Sequence, residues 1–199
     1  MTLDSHRWKA AALATLVTAG GALGCAHGAP PPSAPLATTA GNPSGHEHDW
    51  EWLVGRWKVR HHRLKERLTG CTQWEDFAGT SALWLTMGGL GTIDDNVLEL
   101  PSGTYRAMGA RVFDPADGQW RIWWFDGRTP DHLEPPVKGG FKDGEGTFFA
   151  DDTLRGKPIK VRFRWTKITP TSAHWEQAFS PDGGATWEVN WEMEFQRDG

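Results

Sequence analysis

Trp187-Glu188-Val189-Asn190-Trp191-Glu192-Met193-Glu194-Phe195-Gln196-Arg197 decides the reading of this chain. Large apolar residues at 187, 189, 191, 193 and 195 alternate with Glu188, Asn190, Glu192, Glu194 and Gln196. Successive side chains leave a strand on opposite sides, so a period of two marks a strand with one dry face and one wet face. The pattern predicts Trp187, Val189, Trp191, Met193 and Phe195 inside a core and the acids outside it.

The same period runs back through the chain. Ile159, Val161, Phe163 and Trp165 oppose Lys160, Arg162 and Arg164, and Ala173, Trp175 and Phe179 oppose His174 and Glu176. Gly, Pro, Asp and Asn separate these segments, and no dozen residues keep a helical period. Nine or ten strands are expected, near 53–64, 73–86, 91–100, 104–113, 119–126, 146–152, 158–168, 172–180 and 186–197, with a short one near 137–142. Regular hairpins with one wet face make the fold class all-β, an antiparallel up-and-down barrel or a sandwich.

Two turns carry their own chemistry. Phe113-Asp114-Pro115-Ala116-Asp117-Gly118-Gln119-Trp120 places Pro early and Gly late, as a type I turn closed by a left-handed glycine requires. Ser180-Pro181-Asp182-Gly183-Gly184-Ala185-Thr186-Trp187 resembles the Asp-box hairpin of sialidase propellers, a turn device without a catalytic role.

The N-terminal part has a different composition. Arg7 and Lys9 precede an uncharged Ala/Leu/Val/Thr/Gly run from Ala10 to Gly24, the order of a secretory signal peptide over residues 1–24. Such a run is short for a membrane span. Ala22-Leu23-Gly24-Cys25 resembles the lipobox of bacterial lipoproteins, which implies lipidation at Cys25, although Ala22 stands where a larger aliphatic residue is commoner. Residues 25–45, rich in Pro, Ala, Ser, Thr and Gly, read as an extended tether, which leaves 46–199 as one barrel domain. Export to the cell envelope or periplasm follows, with a membrane attached through the lipid. If the chain is simply secreted, a Cys25–Cys71 disulfide is the alternative; otherwise Cys71 is an ordinary thiol.

Composition narrows the partner classes. Formal charge is −4, so nothing global recruits nucleic acid or an anionic membrane face. Tryptophan is unusual: 13 residues, all but Trp8 at or after Trp50, against one tyrosine. Either the core is very aromatic or rings line a cavity.

Val54-Gly55-Arg56-Trp57 resembles the Gly-x-Trp of lipocalins and related calycin barrels, where the Trp closes one end beneath a basic residue of the last strand. The resemblance implies that Trp57 and Arg197 form that pair. Phe113 to Trp120, followed by Trp124 and Asp126, is similar to an uncharacterised bacterial family of lipocalin-like domains distantly akin to nitrobindins. Nitrobindins hold haem through a late histidine. The late histidine here, His174, neighbours Trp175, and burying Trp175 sends His174 outward, so no haem or other cofactor is expected.

Several constellations are candidates for chemistry. Arg56, Lys58, Arg60 and His62 form a basic stripe, expected to lie in a charge ladder with Glu188, Glu192 and Glu194 on the last strand. The opposite face of that first strand carries Trp57, Val59, His61 and Arg63, and inward His61 and Arg63 need partners or a wet cavity. His46-Glu47-His48-Asp49 has metal-binding side chains but no second ligand set, so no metal site is expected. Met87 to Asn96, with Asp94, Asp95 and Asn96, reads as a polar rim turn, or as a loop that contacts calcium or a ligand. Gly127 to Gly140, with Asp131, His132 and Glu134, reads as a lid over the mouth or as a solvated loop.

Three functions remain open. The first is an envelope-tethered barrel binding a small apolar or aromatic ligand with Trp57, Val59, His61, Arg63, Trp124, Asp126, Trp165, Trp175 and Trp191. The second is a calycin-type isomerase or decarboxylase using His61 and Arg63 as acid/base and anion-holding groups. The third is a structural envelope protein whose barrel is filled by side chains, with Ala78, Ala82, Ala107 and Gly109 making room for the rings.

Overall fold

A computed structural model describes residues 45–199; the signal-peptide, tether and Cys25 expectations, apart from the tether's last residue, lie outside these residues. Ten antiparallel strands close into a barrel in simple up-and-down order, the last pairing with the first. They are β1 (Gly55–Leu64), β2 (Trp74–Thr86), β3 (Gly91–Leu100), β4 (Gly103–Asp114), β5 (Gln119–Asp126), β6 (Val137–Lys142), β7 (Glu145–Leu154), β8 (Lys157–Thr166), β9 (Ser172–Ser180) and β10 (Glu188–Arg197). The short strand near 137–142 is real and completes the wall as β6.

Up-and-down order puts alternate connections at opposite ends. One end receives the chain entering from residue 45 and is closed. Short 3-10 helices, His46–His48 and Glu51–Leu53, lay Trp50 and Trp52 across it. Trp57 is 1% exposed, donates its indole N–H to the Leu53 carbonyl at 2.7 Å, and lies beneath Arg197, whose guanidinium carbon is 4.2 Å from the ring centre. Arg197 also donates to the carbonyls of Val54, Trp52 and Pro170. The expected Trp57–Arg197 closure is therefore present, and their backbones pair directly. Trp50 packs against Trp120, Phe141, Phe148 and Trp165 with ring centres 5.0 to 6.3 Å apart.

The turn at 113–120 is as expected, with Gly118 at φ 68° and its N–H on the Asp114 carbonyl. In the Ser180–Trp187 hairpin, Asp182 accepts the backbone N–H and hydroxyl of Thr186, and these bonds hold its carboxyl down to about 2.

The strand alternation of β10 needs correction. The pairing of β10 with β9 shifts between Val189 and Trp191, where Asn190 forms a bulge. A bulge adds one residue to one strand and reverses the facing of everything before it. Phe195, Met193 and Trp191 keep the inward face, but Trp187 lies against Phe149 and beneath Arg162, two side chains of the outer face. Asn190 is fully buried and accepts from Gln177 at 2.9 Å, and Glu188 accepts the N–H of Leu68 at 2.7 Å. Glu188 therefore leaves the outer charge ladder.

Elsewhere the ladder holds in backbone register but not in side-chain contact, since His62 bonds Asp76 at 2.9 Å and Glu192 and Glu194 meet His174. Arg60 pairs with Glu194 and His62 with Glu192 in register, while Lys58 reaches Asp198 at 2.9 Å. His174 lies on the outer face against Glu194 at 2.8 Å. Arg60, His62, His174, Glu192 and Glu194 border a depression of about 360 Å³ lined by polar and charged side chains. Exposed ion pairs of this kind each contribute roughly 0–1 kcal/mol. Ala78 and Ala82 also differ from expectation: Phe77, Ser81 and Leu83 take the inward positions of β2, so the two alanines make no room inside.

Candidate functional site

Beyond the closed end the barrel is not filled. A cavity of about 370 Å³ lies between β5 and β10, within the size range of small-molecule sites. β5 pairs with β6 only from Trp120 to Ile122, so from Trp123 onward the wall between β5 and β7 is open. Trp123, Trp124, Glu134, Pro135, Asp152 and Thr153 border the cavity from this part of the wall. Glu134 and Pro135 place the 127–136 connection at the cavity. Its His132 meets Glu134 at 2.7 Å. Asp152 is raised above the usual carboxylate range, first by burial and then by the charge of Glu134.

The inner walls are apolar: Ile122, Val137, Ala150, Leu154, Ile159, Val161, Phe163, Phe179 and Met193 join Trp124, Trp165, Trp175 and Trp191. Arg111 contributes to the lining and stacks over Trp50 with 4.5 Å between guanidinium carbon and ring centre. It therefore divides the packed end from the open one. Arg111 is 7% exposed and forms a buried ion pair with Asp94, which also accepts from Asn96 and from the Gly109 N–H at 2.8 Å. Asp94 is thus inside strand β3 and not in a polar rim turn, which corrects the reading of 87–96. A Cβ at position 109 would stand 2.6 Å from the Asp94 carboxylate, so glycine is what lets β4 pass this close.

Of the residues named from sequence, Trp124, Trp165, Trp175 and Trp191 line the cavity. Trp57 and Val59 instead belong to the packed core. His61 and Arg63 belong to a second, smaller cluster between β1 and β5 that includes Phe77, Leu98, Ala107, Tyr105 and Trp191. His61 stacks on Phe77 with ring centres 4.5 Å apart, and Trp191 Nε1 donates to its Nδ1 at 3.2 Å. That bond fixes the tautomer with hydrogen on Nε2. Burial, assisted by the Arg63 cation, pushes the His61 pKa down to about 3, so the ring is neutral at ordinary pH. Arg63 is spent on Glu75 and lies over the rings of Phe77 and Trp191. The His61–Arg63 pair therefore presents neither a free base nor a free anion holder to the cavity. Asp126 sits at the rim on Arg128, which lies 3.8 Å over Tyr105.

Sequence reasoning missed Arg67, Arg111, Gln177 and Asp152 as cavity residues. The inward phase of β4, shared by Ala107 and Gly109, was the available signal for Arg111. Gln177 shares the inward phase of Ala173, Trp175 and Phe179 on β9, so alternation was its signal, whereas Arg67 lies in an irregular connection and had none. Among the described residues no group of three or more His, Cys, Asp or Glu is arranged to hold a metal ion. Cys71 lies in the β1–β2 connection, where Gln73 N–H meets its sulfur at 3.4 Å.

No family model matches the chain, and no curated protein matches it by sequence. Among solved structures, the S-type phycobiliprotein lyase CPES from Guillardia theta is similar, with 11% identity, a TM-score of 0.52, and coverage of 80% of this chain and 95% of that one. At this identity the likeness concerns the fold alone, and the fold it supports is the closed antiparallel barrel.

Proposed function

We propose that this protein is a binding module whose barrel holds one small apolar or aromatic ligand in the cavity between β5 and β10. The observation that carries the reading is the contrast within one interior: indole and phenyl rings fill the closed end, while about 370 Å³ beyond Arg111 is left to an apolar wall with few polar groups. Pockets of that make-up bury most of a small ligand and orient it through a few convergent polar atoms. A barrel filled by its own side chains, the structural reading, leaves this space without a purpose.

The test is saturable quenching of tryptophan emission by a panel of lipids and aromatic compounds. One-site saturation by at least one of them is expected. Absence of saturation across the panel returns the barrel to a structural role. The proposal extends to the address: processing before Cys25 and lipid attachment there tether the domain to a membrane of the envelope. Cys25→Ser is then expected to move the protein from the membrane fraction to the soluble one, and an unchanged distribution removes the anchor.

A further inference from the structure

The cavity lining contains two guanidiniums, and they differ in what they meet. Arg111 has its carboxylate in Asp94. Arg67 has none: its Nε is buried without a partner, and among the described residues its guanidinium forms no hydrogen bond or salt bridge. The backbone around it is nevertheless held. The Arg67 carbonyl accepts from Arg155 at 3.0 Å, the Leu68 N–H donates to Glu188, and the Leu68 side chain packs against the core.

The charged neighbours of Arg67 are already engaged. Glu75 takes Arg63, and Glu188 takes the Leu68 N–H. Arg63 itself is a like charge that, after burial, adds to the lowering of the Arg67 pKa. An arginine cannot shed its proton at ordinary pH, and a buried unpaired charge is costly. Arg67 is only partly buried, and Glu75 and Glu188 act on it without a direct bond, so the direct partner its guanidinium lacks can be supplied by a molecule in the apolar cavity that Arg67 lines.

Resting on the ligand-binding reading, we infer that the ligand carries a single carboxylate that pairs with Arg67 while its apolar body lies against the cavity wall formed by Trp124, Trp175 and Trp191. A planar, singly charged group suits the guanidinium fork. A phosphate dianion would also fit the fork, but it would meet twice the repulsion from Glu75 and Glu188 near Arg67 and from Glu134 and Asp152 in the lining.

The test uses two probes of one shape, naphthylacetate and naphthylethanol, titrated calorimetrically into the barrel domain in its full chain. The acid is expected to bind at least about tenfold more tightly than the alcohol. Arg67→Met is expected to abolish that preference by weakening only the acid, and Arg67→Lys to keep part of it. Because Arg67 lies in a connection, thermal unfolding of both variants is measured alongside to confirm that they fold. Equal binding of acid and alcohol by the native protein, or an undiminished preference in Arg67→Met, overturns the carboxylate and leaves the cavity reading standing. Failure of both probes to bind overturns the cavity reading, and the carboxylate with it.

Discussion

The two ends of one barrel are built from the same residue type and do opposite things with it. At the closed end, Trp50, Trp57 and Trp120 are buried to 1% exposure or less and meet other rings on several sides. Toward the open end, Trp124 and Trp191 remain partly exposed and border a cavity. The boundary is electrostatic, an Asp94–Arg111 pair over the Trp50 ring. Aromatic content alone therefore does not distinguish a filled barrel from a hollow one; what matters is whether each ring meets protein on both faces.

Substitutions at each end are expected to separate stability from binding. Trp57→Ala removes a ring packed on all sides and is expected to cost about 3–5 kcal/mol in a urea titration, with ligand affinity of the folded fraction unchanged. A cost below about 1 kcal/mol means that the closed end is not what holds the barrel shut.

Acid sharpens the comparison at His61, which lies between the ends. Its native pKa, about 3, is below the unfolded value near 6.5. Above 6.5 the two states bind the same protons; as pH falls from 6.5 toward 3 the unfolded state alone gains a proton and stability drops. The loss totals on the order of 4 kcal/mol at about 1.4 kcal/mol per pH unit. His61→Phe is expected to flatten this part of the stability profile, read by denaturant titrations from pH 7 to pH 3. A slope that survives the substitution assigns it to other groups.

Trp191→Phe keeps a ring in the cavity wall but removes the donor to His61. It is expected to cost about 1–3 kcal/mol of stability, as an acceptor left unsatisfied does, and to weaken ligand binding. Ala150→Phe has the smallest expected effect on stability, within about 1 kcal/mol, because the new ring enters open space. It is nevertheless expected to abolish ligand quenching. Retained binding in this variant places the ligand elsewhere.

Sequence revealed the fold well because a barrel wall is mostly period-two information. Ten strand positions, the Gly118 and Asp182 turns and the Trp57–Arg197 closure all follow from local pattern or from the resemblance to calycins. The cavity was half legible. Trp124, Trp165, Trp175 and Trp191 reach it by simple alternation, as does Gln177, whereas Glu188 turns inward because of a bulge at Asn190 that no residue type announces. His61 was legible as inward but not as occupied, since its partners Phe77 and Trp191 come from strands on either side of β1. Whether rings pack or line a space depends on contacts across the barrel, and those are not local in sequence.

The contrast between the ends is tested most directly by the indole N–H signals in a proton–nitrogen correlation spectrum, assigned by single Trp→Phe substitutions and recorded during titration with naphthylacetate. Saturable shifts are expected for Trp124, Trp175 and Trp191, with Trp50, Trp57 and Trp120 unmoved. Shifts confined to the closed-end indoles, or no saturable shift at any of the six, contradict a ligand site in the open half.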